Sequence, residues 1–136
     1  MKRYVLDANA VMRFLQKGPG FERISSLIKM ASAGEIQLLI SVVNRGEVVY
    51  GLARRSGLQQ ALEDLRILAG CLEQVDVHEE DAEAAAILKL RYKLGFADCF
   101  AAELAMRKAA TLVTADPEYA KLGKQLKILA LPRHTA

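Results

Sequence analysis

The stretch "YVLDANAVMRFL" (residues 4–15) sets an aspartate against the end of an apolar run. Tyr4, Val5 and Leu6 have the bulk and branching that suit a buried strand. Asp7 interrupts them, and apolar residues resume after Asn9. Two readings are open. Asp7 can be a turn or helix-cap residue, its carboxylate accepting from backbone N–H groups. It can also be one ligand of a metal site at the end of a strand. The choice depends on whether the rest of the chain supplies partners.

Working outward from this strand, the chain alternates two kinds of segment. Short β-rich runs occur at 3–6, 37–41, 74–77, 111–114 and 127–131. Helical spacing of apolar residues fills the intervals. Over 21–33 it is carried by Phe21, Ile24, Leu27, Ile28 and Ala31, with Gly34 as the stop. Ser41 is placed to cap a helix over 42–55. A third helix follows Leu58, Ala61, Leu62, Leu65, Leu68 and Leu72. "EEDAEAAAILKLRYKL" (79–94) has acids in its first turn and bases near its end, as the helix dipole favours, and Gly95 closes it. A last helix spans about 97–109. Alternation of this kind predicts an α/β/α sandwich with a mostly parallel central sheet of about five strands, as one domain over 1–136.

Composition agrees. With 52% hydrophobic and 26% charged residues the chain is globular and not disordered. No apolar run approaches the ~18 residues that span a bilayer. Asp7 breaks the first apolar stretch too early for a signal peptide, so the expected location is cytoplasmic. Cys71 and Cys99 match no zinc or redox spacing and read as reduced, packed thiols. A net charge of +3 permits nucleic-acid binding without demanding it.

In parallel sheets, sites form beyond the carboxyl ends of strands, where the strand order reverses. Asp7 follows the first strand, Asp116 follows "TLVT", Glu47 lies in the helix after the second strand, and Asp98 opens the last helix. Several carboxylates together supply the oxygen donors that Mg²⁺ or Mn²⁺ requires, and without a cation they repel one another. Such a centre hydrolyses phosphodiesters and needs no nucleophilic Ser or Cys. Each acid also has a plain reading. Asp98 is a natural helix N-cap, "TADPEY" passes as a turn and helix start, and Glu47 as a solvated helix position. The functional reading rests on all four occurring together.

"YVLDANAVM", "ISVVNRGEVVYGL", "FADCFAAELA" and "TLVTADPEY" resemble, in order and approximate spacing, the PIN-domain nucleases, and the length is that of a stand-alone VapC-type toxin. The resemblance covers nearly the whole chain. It implies that Asp7, Glu47, Asp98 and Asp116 are the catalytic and metal-binding acids. It implies that Asn9 orients Asp7 and that Thr114 is the hydroxyl residue before the fourth acid. It further implies a Mg²⁺- or Mn²⁺-dependent endoribonuclease acting on single-stranded or loop RNA (tRNA, rRNA or mRNA), a VapB-type antitoxin and a homodimer. Ala8 stands where Thr or Ser is usual, the stretch before Asp98 is short, and Glu103 interrupts a segment often built of small residues. None of these departures removes an acid.

Arg13 and Arg45, near the acids in sequence, are the best candidates for contacting RNA phosphates. His78 and His134 are too few and too far apart to form a ligand set. Two alternatives stand beside the toxin reading: a catalytically weak or inactive PIN-type module that binds RNA or protein, and an RNA-processing nuclease that is not a toxin. A phospho-receiver domain would need adjacent acids after the first strand, and a haloacid-dehalogenase-type phosphatase an acid at position 9. "LDANA" offers neither.

Overall fold

The structure is a computed structural model that describes residues 1–133. His134 lies outside the described residues. Five strands, β1 (Lys2–Leu6), β2 (Ile36–Ser41), β3 (Leu72–Val75), β4 (Thr111–Thr114) and β5 (Lys127–Ala130), form one sheet in the order β3-β2-β1-β4-β5. Every neighbouring pair is parallel. The chain winds outward from β1 to β3, then returns to the far side of β1 and winds outward again to β5. The reversal falls between β1 and β4, and the residues just after those strands, Asp7 and Asp116, flank it.

Helices α1 (Ala8–Leu15), α2 (Phe21–Ser32), α3 (Val42–Ser56), α4 (Leu58–Leu65), α5 (Glu79–Tyr92) and α6 (Phe96–Arg107) cover the sheet. Successive strand residues point to opposite faces, and the two cores divide accordingly. Val5, Leu39 and Leu112 pack with Ala85, Leu88, Phe100 and Leu104 of α5 and α6. Leu6, Leu38, Ile40 and Val113 pack with Val11, Ile24, Leu27, Val48 and Leu52 of α1, α2 and α3. Burying one such aliphatic side chain contributes about 1.5–3 kcal/mol, so the central strands are rigid supports. The α/β/α sandwich is the architecture expected.

The local differences have local causes. Helix α1 was not among the expected helices. Its eight residues make only about two turns directly after β1, so the run reads as a continuation of that strand. Asp7 supplies the start signal, its carboxylate accepting from the Ala10 N–H at 2.8 Å. Ser41 caps α3 as expected, accepting from Val43 N–H at 3.3 Å. Gly34 takes a left-handed conformation (φ 77°) beyond α2, as a helix stop requires. The third helix ends at Leu65. Leu68 sits on a 3₁₀ turn (Arg66–Leu68), and Leu72 begins β3, pairing with Leu38 of β2. The expected run 74–77 overlaps this strand only at residues 74–75: β3 starts two residues earlier and ends at Val75. Gly95 does not close α5. Lys93 takes the left-handed position (φ 58°), and Gly95 is the residue before α6. A 3₁₀ segment (Pro117–Gln125) follows β4.

Candidate acidic active site

Asp7, Glu47, Asp98 and Asp116 converge on one cleft of about 410 Å³, with Asn9, Arg13, Pro117 and Arg133 also on its walls. It lies at the carboxyl ends of β1 and β4, at the reversal of strand order. Each acid is held by a different element.

Asp7 is the most fixed. It is 4% exposed; Oδ1 accepts from the Ala10 N–H, and Oδ2 accepts from the Thr114 hydroxyl at 2.6 Å. Thr114 in turn accepts from the Asp116 N–H at 3.0 Å, so one hydroxyl ties the ends of β1 and β4 together. Asp116 caps the 3₁₀ segment, Oδ1 accepting from Glu118 N–H at 2.9 Å. Asp7 and Asp116 are therefore caps and cleft acids at once, and the two readings of the sequence do not compete at these positions. Asp98 is not a cap. It is the third residue of α6, behind Gly95, and its carboxylate turns into the cleft.

The electrostatics record the crowding. Burial pushes the Asp7 carboxyl up to about 6, against the lowering effect of its two hydrogen bonds, and the Asp98 and Asp116 carboxylates push it further. Asp98 is also raised, by burial first and then by Asp116 and Glu47. Four acidic residues and two arginines line this cleft, and the Arg13 guanidinium is taken up by backbone carbonyls. An all-oxygen, net-negative donor set fits a hard divalent cation, which would offset the repulsion. As they stand, no three His, Cys, Asp or Glu side chains among the described residues close around a single point.

The PIN-domain family profile matches residues 4–125, from β1 through the 3₁₀ segment. The chain belongs to the PIN-domain family. No curated protein matches the sequence. The fold of this PIN domain is shared with a chain of the VapBC complex of Rickettsia felis bound to a promoter DNA fragment. The identity is 22% and the TM-score 0.74, over 95% of this chain and 98% of that one. DNA-bound VapBC of Salmonella typhimurium is similar at 18% identity and TM-score 0.78, over 96% and 98%. A VapC of Mycobacterium tuberculosis, a sarcin–ricin loop cleaving toxin, is similar at 18% identity and TM-score 0.70, over 88% and 95%.

Three residues that shape the acid cluster of this PIN domain were missed in the sequence. Asn44, wholly buried, donates from Nδ2 to Glu47 Oε1 at 2.8 Å and to the Ala97 carbonyl at 3.0 Å. It fixes the Glu47 rotamer and ties α3 to the turn that carries Asp98. Its position one helical turn before Glu47 was the available signal. Gly95 has ordinary backbone angles (φ −56°), so its value is space: a Cβ there would meet Asp98 Oδ2 at 2.8 Å. Tyr119, also wholly buried, brings its phenol beside Asp98 and helps to lower that carboxyl, yet its hydroxyl meets no partner at hydrogen-bond geometry.

Other expectations shift. Asn9 is exposed on the cleft wall, and the bonds that orient Asp7 come instead from Ala10 and Thr114. Arg13 reaches the cleft, but its guanidinium is bonded to backbone carbonyls. Arg45 lines a separate cavity with Leu62, Leu65 and Arg66. His78 sits at the start of α5, its N–H donating to Asp81. Glu103 is buried in an ion pair with Arg107, on the α5–α6 side of the sheet. Both cysteines are free thiols, Cys99 buried and Cys71 partly so. No helix among the described residues is long and apolar enough to cross a membrane.

Proposed function

We propose that this PIN domain is a Mg²⁺- or Mn²⁺-dependent endoribonuclease of the VapC type, cutting single-stranded or loop RNA. The observation that carries the reading is the meeting of Asp7, Glu47, Asp98 and Asp116 in one cleft at the switch point of a parallel sheet. A divalent cation held there supplies Lewis-acid polarisation of a phosphodiester for hydrolysis. Asp7, Asp98 and Asp116 would hold it, with Glu47 oriented by Asn44 as the fourth acid. Thr114 keeps the Asp7 carboxylate turned toward the cleft, and Asn9 lies open on the wall where RNA would enter. The fold likeness to VapBC chains supports a VapB-type antitoxin as partner and a role as the toxin of such a pair.

The second reading is an inactive PIN-type module that binds RNA or protein. The observation in its favour is that no three of these side chains yet close around one point. Metal titration separates the two. Isothermal titration with Mn²⁺ should show binding in the wild type, and its absence at millimolar metal would favour the module.

Gly95→Ala tests the geometry without removing any acid. The backbone accepts alanine, so the melting temperature should hold within a few degrees. The new methyl displaces the Asp98 carboxylate, and displacement of a catalytic group by about 1 Å costs up to a hundredfold in rate. Unchanged cleavage of a labelled RNA would show that the Asp98 position is not critical.

A homodimer is also proposed. Tyr50, Leu58 and Leu62 on α3 and α4 are large and exposed, with Tyr50 at 66%. Light scattering at micromolar concentration should give about twice the chain mass. A mass near 14.9 kDa would count against the dimer.

A further inference from the structure

Arg13 does not present a free cation to the cleft. From its place on α1, one guanidinium nitrogen donates to the carbonyls of Pro19 and Pro132, and the other donates to the carbonyl of Arg133 at 2.9 Å. Three backbone acceptors, two of them beyond β5, are thus gathered by one side chain in the helix that Asp7 caps. The effect is to strap residues 132–133 to the last turn of α1. Arg133 then lines the same cleft as Asp7, Glu47, Asp98 and Asp116. With Arg13 committed to carbonyls, Arg133 is the other arginine that lines the cleft.

A polyanion entering a cleft of four carboxylates meets repulsion that a divalent cation offsets only locally. A second cation is needed where the phosphate backbone runs past the metal-binding acids. A guanidinium meets a phosphate through two parallel N–H donors, a match that a solvated lysine lacks. Resting on the ribonuclease reading above, we infer that Arg133 is a phosphate-positioning residue of the cleft, delivered there by the Arg13 strap, and that its ligand is the phosphate adjoining the scissile bond of single-stranded RNA. Arg13 acts through Arg133: it holds the segment, and Arg133 makes the contact.

The test measures binding apart from cleavage. Anisotropy of a labelled single-stranded RNA is followed across a salt series with the Asp98→Asn protein, which leaves the RNA uncut. Arg133→Gln, Arg133→Lys and Arg13→Ala are then added singly, and Arg13→Ala with Arg133→Gln together. One phosphate contact on a single strand contributes about 0.7 to the slope of log affinity against log salt. Arg133→Gln should flatten the slope by about that amount and weaken low-salt binding roughly tenfold. Arg133→Lys should keep the slope but recover only part of the affinity. Arg13→Ala should resemble Arg133→Gln, and the double variant should be no worse than either. In the otherwise wild-type enzyme, Arg133→Gln should raise KM more than it lowers kcat. Arg133 is exposed, so circular dichroism should be unchanged. An unchanged slope and affinity in Arg133→Gln, or additive losses in the double variant, would overturn the inference while RNA binding and cleavage by the parent left the ribonuclease reading standing. If the parent neither bound nor cut RNA, both would fall together.

Discussion

Replacing Asp98 with asparagine is expected to abolish RNA cleavage while leaving the fold intact. Among the four acids, Asp98 has the least structural duty. It neither caps its helix, as Asp7 and Asp116 cap theirs, nor accepts the Asn44 bond that orients Glu47. What it offers is charge toward a cleft, at some cost, since burial and the Asp116 and Glu47 carboxylates raise its carboxyl. Asparagine keeps the shape and removes the charge that a divalent cation needs. Loss of one metal-binding carboxylate should remove about 3 kcal/mol or more of transition-state stabilisation, a drop of roughly a hundredfold or greater in kcat/KM. In metal-free buffer the variant should be at least as stable as the parent, because a repulsive charge has gone. Parent-like cleavage would show that the site is misassigned, whereas a lowered melting temperature with lost activity would assign Asp98 a structural role.

The second large effect is an inversion of pH dependence by metal. The Asp7 carboxyl lies at about 6 in the folded chain against an ordinary value of 3.8. A carboxyl raised on folding favours the folded state most when protonated. Its contribution is fully present below pH 3.8 and is lost as pH rises through 6. The shift corresponds to about 3 kcal/mol. In EDTA, then, this residue should make the chain more stable at pH 5 than at pH 7. Asp7→Asn, which can still cap α1, should lack that slope. Added Mg²⁺ or Mn²⁺ should reverse it, stabilising the folded state at pH 7 and losing effect near pH 5, where protons compete for the same oxygens. Thermal melts of parent and Asp7→Asn at both pH values, with EDTA and with Mn²⁺, read all of this. Identical slopes for the two chains in EDTA would refute the electrostatic account of Asp7.

The architecture was legible because the signals were local and repeated. Apolar runs alternated with helical spacing, and the acids stood at the matching ends of elements. The same reasoning lost α1, since its eight residues make only about two turns and follow β1 after a single residue. It overextended α4, since Leu68 and Leu72 continue the apolar spacing although they belong to a 3₁₀ turn and an edge strand. At the site, the acids were visible as residue types, but their supports were not. The Thr114 bond to Asp7 joins residues 107 positions apart. The space that Gly95 leaves for Asp98 depends on a rotamer. Arg13 lay close to an acid in sequence, yet its guanidinium is occupied by carbonyls, two of which the chain supplies only after β5. Proximity in sequence identified candidate cations and could not say which of them was free.

The central claim is that these acids work through a bound divalent cation. The direct measurement is the rate at which purified wild-type protein cleaves a labelled single-stranded RNA in excess EDTA, and again after Mg²⁺ or Mn²⁺ is restored. The account predicts negligible cleavage in EDTA and recovery with either metal. Cleavage that continues undiminished in EDTA would contradict it, whatever the fold.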